Sequence, residues 1–296
     1  MPISFLHGPS VGPTGRTLEI AVAAAELTPS RPANAELLCD QRQPDGSAIF
    51  RIEQSHETGY VISGPTYGTH LLTTDGLRLR CLPTGRAEEE WQRLLIAQVL
   101  PFAALLRGLE VFHASAVVRD GEAIAFLGVS GAGKTSLALE LCRRGAGFLA
   151  DDVLALETGK DLLAHPGAPV AGVAHPAGDR SRVPGADLPG QTIAINDRER
   201  IVRMCHRAGP APLSALFFLD RRAEGPARPH FEAVVEPRAL LAATFNFVLA
   251  TPERLSGLLE VCALAALRRV ERIVVGPRVD VRELGGAVEH RLRSSS

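Results

Sequence analysis

The sequence predicts an α/β protein carrying a small β-rich region at its N-terminus. Three observations predict it. Residues 1–85 alternate short apolar stretches with Gly- and Pro-containing turns. Residues 88–109 repeat apolar side chains at helical spacing, and residues 111–156 run strand, turn, strand, glycine-rich loop, helix, strand. The expected division is residues 1–87 as the small β-rich domain, 88–110 as a linker helix and 111–296 as the larger α/β domain, which a chain of 296 residues can accommodate.

In the first region the strands fall at Ala48–Ile52, Tyr60–Ser63 and Leu77–Leu82, separated by the turn pairs Asp45-Gly46, Gly64-Pro65 and Asp75-Gly76. Trp91, Leu94, Leu95, Val99, Phe102, Leu105 and Leu106 then describe one long helix, with Glu88–Glu90 favouring its N-terminus and Pro101 kinking it. A hairpin follows, Val111–Val118 and Glu122–Leu127 around Asp120-Gly121. Gly128–Thr135 reads as a loop and Lys134–Arg144 as a helix that Gly145 ends; Phe148–Ala150 is a strand leading into Asp151-Asp152. Val153–Leu156 and Leu162–Ala164 flank Thr158-Gly159-Lys160 as a second hairpin. Residues 165–212, rich in Gly, Pro and Arg, read as long loops or a mobile insertion. Leu213–Leu219 is expected as a buried strand, Pro237–Leu249 and Pro252–Arg269 as helices, and Arg272–Val275 as a last strand. No internal repeat is visible.

Composition excludes several classes. A formal net charge of -1 offers no bulk attraction to nucleic acid or to an acidic membrane. The five cysteines (Cys39, Cys81, Cys142, Cys205, Cys262) are scattered and lack metal-ligand spacing, which fits a reducing compartment. The N-terminus has no basic segment followed by an apolar run, and the apolar stretches at Ile96–Leu106 and Leu258–Leu267 are too short or interrupted to span a bilayer. A cytoplasmic location is expected, with no membrane and no nucleic-acid partner; oligomeric state is open, a homo-oligomer included.

Gly128-Val129-Ser130-Gly131-Ala132-Gly133-Lys134-Thr135 matches GxxxxGK[ST] in full, with Ser136 opening the helix behind it. A phosphate chain needs backbone N–H groups pointing inward, and glycines allow that wrap without a Cβ clash. The helix behind presents its positive end to the same anion. Lys134 is a slim cation for β- and γ-phosphates, and the Thr135 hydroxyl is a Mg²⁺ ligand. The chain has only two lysines, Lys134 and Lys160, against thirty arginines. Keeping a lysine here is informative, because the wide guanidinium fork does not fit where a compact ammonium must enter the loop. The motif therefore predicts binding of ATP with Mg²⁺ through Gly128–Ser136.

A strand–loop–helix–strand unit from Glu122 to Ala150 has the size of a crossover that brings both strands' carboxyl ends to one sheet edge, side by side. Asp151 and Asp152 then emerge beside the loop, placed to hold Mg²⁺ and to accept a proton from an attacking hydroxyl. If Asp120-Gly121 are the two turn residues, Arg119 pairs with Glu122, and counting on sets His113 opposite Gly128 at the rim of the same site.

His113-Ala-Ser, Gly128 to Thr135, Arg144-Gly145 and Ala150-Asp151-Asp152 together resemble the P-loop catalytic domain of the HPr kinase/phosphorylase family, whose fold is shared with phosphoenolpyruvate carboxykinases. The match covers residues 111–156, and its mark is the short distance from the loop to the acidic pair. The layout is still more similar to stand-alone relatives such as lasso-peptide precursor kinases. The resemblance implies a serine-type kinase with Asp152 as proton acceptor, Asp151 assisting Mg²⁺ beside Thr135, His113 touching the reacting phosphate, Lys134 stabilising it, and a protein or peptide as phosphoacceptor. The family's Glu-Arg and Gly-Ile-rich stretch has no counterpart in residues 165–210, where Arg180, Arg182, Arg198, Arg200 and Arg203 stand in no matching context. A nucleotide sensor that binds ATP without transferring phosphate is the alternative; an oxaloacetate-dependent carboxykinase is disfavoured by the short chain.

Overall fold

The structure is a computed structural model; it describes residues 3–6, 18–23, 34–55, 59–84, 88–174, 188–196, 198–233, 237–245 and 251–294. The chain divides into two compact units, one built mainly from residues 12–109 and one from residues 110–245 with 252–296.

In the first unit six strands, β1 (Glu19–Val22), β2 (Glu36–Arg42), β3 (Ala48–Ser55), β4 (Gly59–Gly64), β5 (Gly68–Leu72) and β6 (Arg78–Leu82), form one sheet among the described residues, in the order β1-β6-β5-β4-β3-β2. The β1–β6 pair is parallel and the other neighbours are antiparallel. Alternation along the strands turns Phe50, Ile52, Tyr60, Ile62, Leu72, Leu79 and Cys81 to one face. Trp91, Leu94, Leu95, Val99, Phe102 and Ala103 close that core. They come from the segment expected as one kinked helix, which instead is α1 (Glu88–Leu94), a π-helical stretch (Leu95–Val99) and α2 (Leu100–Leu106). The Leu100 N–H reaches back to the Leu95 carbonyl. Widening the turn just before Pro101 relieves the clash its ring would make with the preceding turn.

The second unit contains β7 (Glu110–Phe112), β8 (Ser115–Arg119), β9 (Glu122–Leu127), α3 (Lys134–Arg143), β10 (Gly147–Ala150), β11 (Leu154–Glu157), β12 (Leu163–His165), β13 (Val170–Ala174), β14 (Gly190–Ile195), β15 (Glu199–Met204), β16 (Ala211–Arg221), β17 (His230–Ala233), α4 (Pro237–Ala242), α5 (Pro252–Ala266), β18 (Arg269–Val275) and α6 (Val281–Arg293). The large sheet runs β10-β8-β9-β16-β12-β11-β7, with β18 beside β16 and β17 beside β18. Both faces are covered. Ala123, Ala125, Leu127 and Leu216 point to a core shared with Leu258, Val261, Cys262 and Ala265 of α5. Ile124, Phe126 and Phe217 point the other way, to Leu137, Ala138 and Leu141 of α3 and Leu284 and Val288 of α6. This explains why β9 reads as a continuous apolar run.

Three sequence expectations need correction here. The β9–α3–β10 crossover does not make neighbouring strands: β8 lies between them, antiparallel to both. Two reversals restore the direction, so β9 and β10 still end at the same edge. The strand expected over Val111–Val118 is broken at His113-Ala114; β7 pairs with β11, and only β8 stays in the hairpin, because Val111 and Phe112 are drawn into the opposite flank of the sheet. Residues 165–212 are not simply loops: β13, β15 and β14 form a three-stranded antiparallel sheet, the glycines and arginines of the segment having masked its alternation.

The helix α6 was not legible. Asp280 caps it, its carboxylate accepting the Glu283 N–H at 2.8 Å, but Gly285-Gly286 interrupt the helical pattern. Gly285 has a packing reason: a Cβ there would sit 2.8 Å from Cγ of Glu140 on α3. The expected helix ends at Gly145 as predicted, with φ of 100° and the N–H groups of Gly145 and Ala146 returning to the carbonyls of Cys142 and Leu141 at 3.0 Å each. The expected helix Pro237–Leu249 stops at Ala242, and its part over residues 246–249 lies outside the described residues.

Candidate active site

The glycine-rich loop leaves the C-terminal end of β9 at Gly128, whose φ is 140°. A Cβ there would meet the Leu219 carbonyl oxygen at 2.5 Å, so both the backbone conformation and the space require glycine. Gly131 and Gly133 also have positive φ, 80° and 102°. Ala132 anchors the loop in the core, with its N–H on the Val129 carbonyl at 3.2 Å, while Val129 itself is 77% exposed. The loop is thus pinned at one point and open at its crown.

Lys134 begins α3 and folds back over the loop, donating to the carbonyls of Gly128 at 2.8 Å and Val129 at 3.2 Å. Burial pulls its ammonium below the usual lysine range, against the attraction of Asp152 and, more weakly, Asp151. Both acidic residues therefore act on the lysine that the loop carries.

Asp151 follows the last residue of β10. Its Oδ1 accepts the hydroxyls of Thr135 and Ser115, each at 2.7 Å, and its Oδ2 accepts the Gly172 N–H at 2.9 Å. Burial raises the carboxyl above the ordinary aspartate range, opposed by the bonds from Ser115, Gly172 and Thr135 and reinforced by the charge of Asp152. The three donors are neutral dipoles that orient the carboxylate without cancelling its charge. Asp152 takes the left-handed conformation, φ 67°, which turns the chain so that successive carboxylates need not follow the strand's alternation.

Thr135 and Asp151, predicted from sequence as neighbours, are brought into direct contact, and Lys134 and Asp152 into electrostatic range. Gly128 to Ser136 form the loop and the first turn of α3 as expected. His113 is not opposite Gly128: the hairpin register, which otherwise runs as predicted from Arg119↔Glu122, ends at Ser115↔Phe126. The imidazole is exposed with its ring 5.2 Å from that of Phe245, and the backbone N–H of His113 donates to the Ala243 carbonyl at 2.8 Å. Sequence reasoning missed two donors. Ser115 was visible beside His113, and its place on the strand between β9 and β10 gives it a role. Gly172 carries no sequence signal, since a backbone N–H on an unforeseen strand does the work.

The arrangement offers an anion cradle with a lysine, and beside it a hydroxyl and two carboxylates. Such hard oxygen donors suit Mg²⁺, which takes its remaining ligands from phosphate and water. Among the described residues, no group of three or more His, Cys, Asp and Glu forms a self-sufficient metal site. Among them, too, no helix is long and apolar enough to cross a membrane.

No protein-family model matches the chain, and no curated protein matches it. Among solved structures it is similar to the Hpr(Ser) kinase/phosphatase from Coxiella burnetii, at 16% identity and a TM-score of 0.33, over 62% of this chain and 88% of that one. A likeness at that level says nothing about the chemistry of the site.

Proposed function

We propose that this chain is an ATP- and Mg²⁺-dependent phosphotransferase that moves the γ-phosphate to a serine-type hydroxyl of a protein or peptide. The observation that carries the reading is the 2.7 Å contact between Thr135 and Asp151 at the mouth of a loop whose lysine points back over its own carbonyls. The loop N–H groups and the start of α3 receive the β- and γ-phosphates. Lys134 exchanges its two carbonyl acceptors for phosphate oxygens. Thr135, Asp151 and Asp152 hold Mg²⁺, which supplies neutralisation of the charge on the phosphates when bound.

Asp151 and Asp152 divide the remaining work. Asp151 is fixed by three donors and holds position; Asp152 takes the acceptor's proton. His113, exposed in the break two residues before Ser115, is left to meet the incoming hydroxyl. Phosphoryl transfer asks mainly for positioning and charge stabilisation, which this set supplies.

Incubation of the pure chain with γ-labelled ATP, Mg²⁺ and a panel of serine-bearing peptides tests the proposal. Label on a peptide is the expected result. Tight nucleotide binding with no label on any peptide turns the reading to a nucleotide sensor, and absence of nucleotide binding removes it altogether.

A further inference from the structure

The three-stranded sheet holds a cation that the reading above does not use. Directly opposed residues of β13 and β15 share a face, and Ala171, Val173, Val202 and Met204 pack on one face with Leu139 of α3 and Phe148 of β10. Arg200 stands opposite Val173, two residues from Val202, on that same face. Its level along α3 follows from the neighbouring contacts. Gly172 bonds Asp151, which bonds Thr135 in the first turn of α3, whereas Ala171 belongs with Leu139 one turn on. Two strand residues cover about 7 Å and one helical turn about 5.4 Å, so the step from Val202 to Arg200 runs from the second turn of α3 to the first. Arg200 thus arrives at the loop from the side of Gly172.

Its environment is unusual for a half-buried guanidinium. Among the described residues the Arg200 side chain makes no hydrogen bond or ion pair, and its Nε is closed to solvent with no acceptor. Arg144, at the other end of α3, by contrast bonds Glu140, Glu289 and a carbonyl. The terminal nitrogens of the Arg200 guanidinium have, among the described residues, no protein acceptor to give up when an anion arrives. The flat fork of a guanidinium matches two oxygens of a phosphate group.

We propose that Arg200 is a polyphosphate clamp, meeting non-bridging oxygens of the nucleotide held by the glycine-rich loop from the side opposite the crown. This rests on the loop's binding a nucleotide, as proposed above. The experiment is calorimetric titration of the full chain with Mg·ATP and with Mg·tripolyphosphate, for the wild type, Arg200→Met and the exposed control Arg198→Ala. Methionine keeps the stem that packs beside Val202 and removes the charge. Arg200→Met is expected to weaken both ligands about 10- to 100-fold, with Arg198→Ala unchanged and circular dichroism alike in all three. Wild-type binding that survives Arg200→Met, or an equal loss in Arg198→Ala, overturns the clamp and leaves the nucleotide site standing. Absence of Mg·ATP binding by the wild type overturns both. Should Arg200→Met fail to fold, Arg200→Lys is read instead: it keeps the charge and loses the fork, so a loss of about 3- to 10-fold supports the clamp and full affinity overturns it.

Discussion

The turn edge and the loop edge of the large sheet are built from the same strands and the same helix, yet they treat charge in opposite ways. At the turn edge Arg119 pairs with Glu289, and Arg144 bonds Glu140 at 2.7 Å and Glu289 at 3.2 Å; Arg143 adds a second bond to Glu140 at 2.9 Å. Burial works to raise the Glu140 carboxyl, but the bonds from Arg143 and Arg144 outweigh it and hold the group below its ordinary range. At the loop edge Asp151 is held by two hydroxyls and an amide, and its carboxyl is raised. One edge neutralises its carboxylates with arginine and becomes structure. The other orients Asp151 with neutral groups and leaves its charge uncancelled, at a cost in stability.

That contrast can be broken at either edge. The largest effect belongs to Lys134→Ala, which should lower label transfer on the order of 10³-fold while leaving the thermal transition in place, because among the described residues the lysine's hydrogen bonds go to loop carbonyls alone. A variant with near-native turnover would remove Lys134 from the chemistry. Next is Gly285→Val at the turn edge. A side chain there meets Glu140 and Arg144, so overpacking should cost about 2–3 kcal/mol and lower the melting temperature by about 5–10 °C, with nucleotide affinity retained. An unchanged melting temperature would mean that α6 is free to move off α3.

Glu289→Gln should cost about 1–2 kcal/mol in denaturant unfolding; its two arginine partners are about a third exposed, which keeps the loss modest. Retained turnover would sharpen the distinction between the edges, and lost turnover would couple them. The smallest effect has the opposite sign. A carboxyl raised on folding is penalised wherever it is ionised, so relief of that penalty in Asp151→Asn should raise its melting temperature relative to the wild type more near neutral pH than in acid. The gap should close as acid protonates Asp151 in the folded wild type. Thermal scans across pH check this, and a gap that widens in acid would reverse the assignment. For Glu140 the sign is inverted: its contribution is present above the unfolded pKa and fades as pH falls through the depressed folded value.

Much of both edges was legible in residue order. The hairpin register followed from the two-residue turn at Asp120-Gly121, and the helix end from Gly145. Asp151 was placed beside Thr135 on a premise that was partly wrong, since β8 intervenes; the inference survived because two antiparallel steps preserve direction. His113 was misplaced because counting across a hairpin assumes that the strand continues. The chain instead leaves at Ala114 to serve a different partner strand.

Local order alone settled what depends on a few consecutive residues: the left-handed glycines of the loop, the lysine and threonine at the start of α3, the reversals that set hairpin register. These rest on backbone sterics and on hydrogen bonds closed within one turn, which near neighbours control. Tertiary structure decided which strand lies between β9 and β10, that the Gly172 amide completes the hold on Asp151, and that a helix containing Gly285-Gly286 persists against α3. Those features are settled by packing and pairing between residues far apart in the chain, where the free energy of burial outweighs what any short stretch prefers for itself.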